Sequence, residues 1–337
     1  MPNGRFLLNI FALPMSWRSA PVQPHQTLPA CVPLAAHACG YYQRLVAAAE
    51  QATGDAAPVL ARDCAPALAA LRAFYRGGQQ PAPYASTRVQ FAYGAAYVPH
   101  HAVQLHRALQ LHAVDLQLAL PRPGARSVLC MAGGPGADVL GLGYHLMHCA
   151  VPLAGVSLRA NVVDHPERNW HFGRELVRNE LAFHHRQHGL LPVHVQALRC
   201  DLVAASSLPA ALRAAAADAG VVTVMNVLTE ILAAGRDALP RFARLLAEVF
   251  AALPSGAVIV LADMGACAGV YQAMQVTGRM LAAGGAVVGA PLRDDFVSPF
   301  AHVGHAALAQ HLFSPDPAHG RIPRRHIRSL SMVARRP

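Results

Sequence analysis

The apolar run Val128-Leu129-Cys130-Met131-Ala132 breaks into Gly133, Gly134, Pro135 and Gly136; Asp138 and a helical pattern follow. Few segments restrict a chain more. The run reads as a buried strand, and the glycines let the backbone turn sharply and approach a ligand with no side chain in the way. The helix start beyond them offers unpaired N–H groups to a polar ligand. A strand, a glycine turn and a helix in that order make the geometry of a nucleotide-type cofactor site.

The pattern downstream agrees with that reading. Candidate strands at 127–132, 160–164, 193–198, 221–226, 257–262 and 326–334 alternate with helices. One helix spans about 168–188, with Trp170, Leu176, Val177 and Leu181 on one side. Another spans 240–253, with Pro240 in its first turn and Phe242, Leu245, Leu246, Val249, Phe250 and Leu253 on one apolar face. Apolar strands alternating with amphipathic helices predict an α/β fold with a Rossmann-like, doubly wound, mostly parallel sheet. Upstream, helices are expected at 40–53, 58–76 and 100–118. The second carries Leu60, Cys64, Leu68, Leu71 and Phe74 at helical spacing, and Gly77–Pro83 reads as a linker. The expected organisation is an irregular Pro-rich segment over 1–35, a helical region over 36–120 that recognises substrate or caps the sheet, and the sheet domain over 121–337.

In such sheets ligands bind at the carboxyl ends of the strands. Four features fall there in order. After the first strand comes the glycine turn. After the second comes Asp164, about one strand–helix–strand unit beyond Gly136, where a carboxylate can accept from both hydroxyls of a ribose. After the third comes Asp201, placed to accept an adenine amine or to cap a helix in a turn-rich segment. After the fourth comes Asn226-Val227-Leu228-Thr229-Glu230. Asn226 there is either a contact or a turn former. Trp170 either flanks the adenine or fills the core.

On these residues the segment resembles the class I S-adenosylmethionine-dependent methyltransferases, with Gly-Gly-Pro-Gly-Ala-Asp as their first motif. The resemblance implies S-adenosyl-L-methionine as cofactor. Gly133, Gly134 and Gly136 would lie against its methionine part, Asp164 would hold the ribose, and Asp201 the adenine amine. Ala132, Asp138, His165, Leu202 and Asn226 complete the implied cofactor-binding set. Asn226 and Glu230, with His165, are the candidates on the acceptor side, for transfer to nitrogen or oxygen. Ala92–Pro99 and Asp164-His165-Pro166-Glu167-Arg168-Asn169-Trp170 are similar to segments of rRNA methyltransferase-like proteins, among them the uridine-N3 type. The cysteine cluster of one mitochondrial ribosome-associated branch is missing.

Charge bears on the partner. The formal net charge is +10, and all 28 basic residues are arginine. That field favours an anionic partner such as RNA, and an arginine-coated soluble enzyme fits it equally. Arg321, Arg324, Arg325, Arg328, Arg335 and Arg336 either contact phosphates or are solvated ends of a last strand over Ser329–Ala334. The alternative from another class is a methyltransferase-fold protein that binds RNA or a ribosomal partner without turnover.

An NAD(P) oxidoreductase comes third. Val139 stands where its fingerprint needs a small third residue. Without lysine a phosphate-binding GxxxxGK loop is excluded. Seven cysteines without a CxxC spacing argue against structural zinc or a disulfide framework, and fit a reducing compartment, cytoplasmic or nuclear. Cys130 and Cys200 read as small buried hydrophobes. His184 and His188 are spaced for metal on one helix but lack a third ligand, so no metal is expected. No apolar run is long enough to span a membrane. The Arg5–Pro14 start bears only a faint likeness to a targeting segment.

Overall fold

The computed structural model describes residues 34, 40–75, 84–114, 116–120, 125–148, 157–165, 169–265, 269–301 and 326–337. The expected linker 77–83, most of the segment 1–35, and Arg321, Arg324 and Arg325 lie outside them, as does the side chain of Phe74. Helices α1 (Tyr41–Thr53), α2 (Ala57–Tyr75), α3 (Thr87–Ala96), α4 (Val98–Leu111) and α5 (Leu116–Ala119) come first. The sheet domain then runs β1 (Ala125–Met131), α6 (Ala137–His148), β2 (Ser157–Asp164), α7 (His171–His188), β3 (Val193–Arg199), α8 (Ala210–Asp218) and β4 (Ala219–Met225). After it come α9 (Leu228–Ala233), α10 (Ala238–Ala252), β5 (Val258–Met264), α11 (Val270–Ala283), β6 (Val287–Val288), β7 (Leu292–Val297) and β8 (His326–Arg335).

The strand order is β3-β2-β1-β4-β5-β8-β6, with β7 also paired to β8. β1 to β5 are mutually parallel, and β8 runs antiparallel to β5, β6 and β7. The chain moves outward from β1 to β3, then returns to lay β4 on the other side of β1. That reversal opens a crevice at the carboxyl ends of β1 and β4, the ligand position of a doubly wound sheet.

Both faces of the sheet are covered, which is why its central strands read as unbroken apolar runs. Successive residues point to opposite faces. Val128, Cys130, Val162, Val221, Val258 and Val260 join one core, together with α1 to α4, α6 and α7. Leu129, Met131, Val163, Val222, Val224, Ile259 and Leu261 join the other, with α8 to α11. The N-terminal helices therefore share a continuous core with one sheet face. α4 packs so closely on α6 that a Cβ at Gly141 would run into the Ala102 carbonyl.

The helix expected at 100–118 needs correction. It begins at Val98, ends at Leu111, and Leu116–Ala119 is a separate turn of helix. Ala113 sets the break by adopting a left-handed φ of 45°. α3 had no visible signal, because seven of its ten residues are buried and no polar face is left to give it a period. In β7 the pair Asp294-Asp295 hid an alternating strand, since Asp294 turns inward to the buried Arg107 guanidinium at 2.5 and 2.8 Å.

Candidate cofactor cleft

The glycine turn sits at the top of β1. Ala132, Gly134 and Gly136 all have positive φ (55°, 53° and 97°), so the turn is left-handed at three points. Glycine meets that demand at two of them without strain, and Ala132 accepts it. The Gly133 N–H donates to the Val163 carbonyl at 3.0 Å and the Gly136 N–H to the Gly133 carbonyl at 2.7 Å, which fixes the turn between β1 and β2. A Cβ on Gly134 would stand 3.5 Å from the Trp170 ring and 3.7 Å from Asp164 Oδ2. The turn thus opens toward the acid at the end of β2.

That acid is 3% exposed. Asp164 Oδ1 accepts the His165 N–H at 2.7 Å, and Oδ2 accepts the Trp170 indole N–H at 2.6 Å. Trp170 packs against Tyr84 and Tyr93, with ring centroids 4.3 and 4.8 Å away. It fills the core, and it also caps the expected ribose carboxylate. Arg174 reaches the Gly134 carbonyl at 3.4 Å, and burial lowers its pKa against the pull of Asp164.

β3 adds Asp201 beside this pair. Its Oδ1 accepts the Val203 and Ala204 N–H groups at 2.9 and 3.0 Å, which closes a turn over 202–204 and caps no helix, since α8 begins only at Ala210. Its Oδ2 lies 3.3 Å from His165 Nε2. Burial works to raise its pKa, but the two backbone donors and His165 outweigh this and hold it below the ordinary carboxylate value. Leu202 packs into the second core.

Asp138 goes elsewhere. Its carboxylate is 3% exposed and accepts the Thr223 hydroxyl at 2.5 Å, below the turn and between β1 and β4. Burial pushes its pKa up to about 7 despite that bond. The acid of the motif props the turn from beneath.

The β4 side is a single network. Asn226 has φ 54°, so it does form a turn, and its N–H donates to the Ala262 carbonyl at 2.8 Å. Its Nδ2 donates to Gln104 Oε1 at 2.9 Å. Asp263, at the end of β5, accepts from the Leu228, Thr229 and Met264 N–H groups and the Thr229 hydroxyl, which anchors the start of α9. Burial still raises its pKa above the carboxylate norm. Glu230 is partly exposed on α9. Its charge, after burial and Tyr84, helps push the Tyr93 phenol upward.

α3 roofs the cleft. Gln90 donates through Nε2 to the Tyr84 and Asn169 carbonyls, both at 2.6 Å, and accepts the Gly173 N–H at 2.8 Å. Burial and Tyr84, then the charges of Glu230 and Asp164, push the Tyr93 phenol well above its ordinary value. Gln90, Gln104, Tyr93, Arg174 and Asp263 all escape sequence reasoning. A lone Gln on a buried helix carries no motif, and Asp263 reads only as the last residue of a strand.

The expected residues Gly133, Gly134, Gly136, Asp164, His165, Asp201 and Asn226 thus meet at one end of the sheet. Asp138 and Leu202 are turned into the cores. Cys130 and Cys200 are buried free thiols, as read from sequence. Among the described residues no group of three His, Cys, Asp or Glu is arranged to hold a metal. No described helix is long and apolar enough to cross a membrane. Arg336 donates to the Phe250 and Ala251 carbonyls at the end of α10.

No protein-family model and no curated protein matches the chain. Solved structures do. An O-methyltransferase family protein from Burkholderia thailandensis aligns over 77% of this chain and 63% of its own, at 14% identity and TM-score 0.35. Precorrin-6y C5,15-methyltransferase from Geobacter metallireducens GS-15 aligns over 66% and 86%, at 13% identity and TM-score 0.35. Human N-acetylserotonin methyltransferase in complex with SAM aligns over 82% and 66%, at 12% identity and TM-score 0.35. This chain spans less than two thirds of the first of these. The fold itself is read from the strand order: a Rossmann-like sheet, five strands parallel, with β8 antiparallel beside β5.

Proposed function

We propose that this protein is an S-adenosylmethionine-dependent methyltransferase. One observation carries the reading: the left-handed turn Ala132–Gly136, Asp164, Asp201 and Asn226 stand at the carboxyl ends of four adjacent strands, across the reversal of strand order. The turn fits the group, because its Gly134 side faces Asp164 Oδ2 across 3.7 Å and a φ of 53° there favours a residue without a side chain. When bound, S-adenosylmethionine supplies a methyl activated by a positive sulfur, so the residues need mainly to position and shield it.

In this reading Gly133 and Gly134 give the backbone close approach and Asp164 receives the ribose hydroxyls once Trp170 releases Oδ2. Asp201, kept ionised by its two backbone donors, takes the adenine amine. Tyr93 and Trp170 exclude water from the roof. Glu230 stands where it can collect a proton from the acceptor. Asp138 is outside the contact set and supports the turn through Thr223.

An RNA acceptor rests on the +10 charge and the resemblance alone, and the cleft geometry adds nothing to it. Its own test is the steep salt dependence that phosphate contacts impose.

Calorimetric titration with S-adenosylmethionine, S-adenosylhomocysteine and NAD in parallel tests the function. Micromolar binding of the first two without NAD is expected. Binding of NAD alone would replace this reading with an oxidoreductase, and cofactor binding without methyl transfer to any RNA, protein or amine pool would leave the non-catalytic alternative.

A further inference from the structure

β7 pairs with β8 on one side, and among the described residues no strand lies on its other side. An open strand edge presents unpaired N–H and C=O groups, which chains ordinarily guard with charge, proline or a covering segment. Side chains along β7 alternate between the faces of the sheet. Leu292, Asp294 and Phe296 turn to the α4 side, where Asp294 holds the Arg107 guanidinium, itself 4.6 Å from the Phe296 ring centroid. Arg293, Asp295 and Val297 turn to the opposite face and are exposed. Among the described residues neither Arg293 nor Asp295 closes a salt bridge within the chain. Val287 and Val297 are the exposed large apolar side chains of the described residues, at 64% and 47%, and both stand on this side of β8.

Two copies of one edge meet antiparallel about a two-fold axis, and residues opposed across it share a face of the sheet. An axis at Asp294 sets Arg293 of each copy opposite Asp295 of the other and Leu292 opposite Phe296. One place further out it brings Pro291 against Val297, and pairing ends there because proline has no N–H to give. Ion pairs then form on one face and apolar pairs on the other. Asp294 meets its own copy, with each carboxylate already bound by an Arg107. Moving the axis to Arg293 or to Asp295 sets like charge directly against like charge, which is destabilising across a strand pair. The charges on this edge therefore select one register where they would otherwise forbid all. In that register Asp295 lies between the partner's Arg293 and its own cross-strand neighbour Arg328.

We propose that the outer edge of β7 is the interface of a homodimer, in which a second copy of this chain pairs edge to edge about an axis at Asp294 and the sheet runs on through both copies. The occupant is argued from charge and shape together: the strand is complementary to itself in one register, and that register covers its exposed Val297. β5 and β8 separate this edge from the β1–β4 crevice, so the interface leaves the cleft open and stands independently of the cofactor reading.

Sedimentation velocity of the full chain, from about 1 to about 100 µM, tests the proposal. Wild type should dimerise within this range. Arg293→Asp sets acid against acid at both symmetric positions, and Asp295→Arg sets base against base. Each should weaken self-association by at least about tenfold. Mixed in equal amounts, the two variants should pair with each other at close to wild-type strength, because every ion pair across the axis is then restored. Far-ultraviolet circular dichroism checks that both are folded, and Arg293→Glu with Asp295→Lys makes the same test if either fails. Wild type that stays monomeric at the highest concentration overturns the proposal. Single variants that dimerise as well as wild type also overturn it, since the interface would then lie on another face. Folded variants that stay apart when mixed overturn the register and the proposal with it.

Discussion

The Trp170 indole N–H donates to Asp164 Oδ2 at 2.6 Å and so occupies the carboxylate that the ribose would use. The two residues are 2% and 3% exposed. A hydrogen bond to a charged acceptor contributes about 1.5–3 kcal/mol, so the indole is a serious competitor for the ligand.

Trp170→Phe should therefore destabilise the free protein, by about 2 kcal/mol from the lost bond, and tighten S-adenosylhomocysteine by freeing Oδ2. Thermal melts with and without ligand separate the two effects. The ligand-induced rise in melting temperature should be larger in the variant than in wild type; an equal or smaller rise would mean that the indole does not compete.

Asp263 holds the Asn226–Glu230 segment through the Leu228 and Thr229 N–H groups and the Thr229 hydroxyl. Asp263→Ala leaves those donors unpaired in a buried setting and should cost about 3 kcal/mol. Asp263→Asn keeps an acceptor for some of them and should lose less. Urea unfolding of the three proteins gives the order, and equal midpoints would show that the segment holds itself.

The α1 helix is pinned to α7 by Arg44, whose Nε and Nη2 bind the two Glu180 oxygens at 2.6 and 2.9 Å. Glu180 is 1% exposed, while the guanidinium is partly solvated and also lies 3.9 Å from the Phe183 ring centroid. Arg44→Met keeps the packing and strands the carboxylate, which should cost about 3 kcal/mol. Replacing both, Arg44→Met with Glu180→Leu, should recover most of that loss in a denaturation series. A double variant as weak as the single one would assign the loss to packing instead.

These relationships mark how far the sequence could be read. The parallel strands were legible because burial on both faces leaves runs such as Val221–Met225, and the turn was legible because three glycines cluster at its strand end. Asp164 followed from its distance beyond Gly136, and Asp201 from its place after the third strand. What stayed hidden depends on contacts between distant segments. Gln104 meets Asn226, Asp263 and Ser329 only in the folded sheet, and Gln90 meets Gly173 the same way. Asp138 looked like a ligand residue from its motif. Its carboxylate instead went to Thr223, which no local pattern announces.

Buried titratable groups make opposite demands on pH. Burial, opposed by the Thr223 bond, sets Asp138 at about 7 against an ordinary 3.8, so the folded chain holds a proton there that the unfolded chain releases. Stability from this group falls as pH rises from about 4 to 7 and is level above. Burial, then His145, His148 and Arg107, lowers His106 to about 3, and burial lowers His145 to about 4. The unfolded chain protonates these rings near 6.5 and the folded chain does not, so their stability is lost as pH falls through that window. Asp138→Asn should therefore gain on wild type as pH is raised from 4 to 8, and His106→Leu should gain as it is lowered, each by up to about 4 kcal/mol. Unfolding curves at pH 4, 6 and 8 test both. Variants that track wild type in parallel would mean that water reaches these groups in the folded state, since burial is the largest cause of each shift.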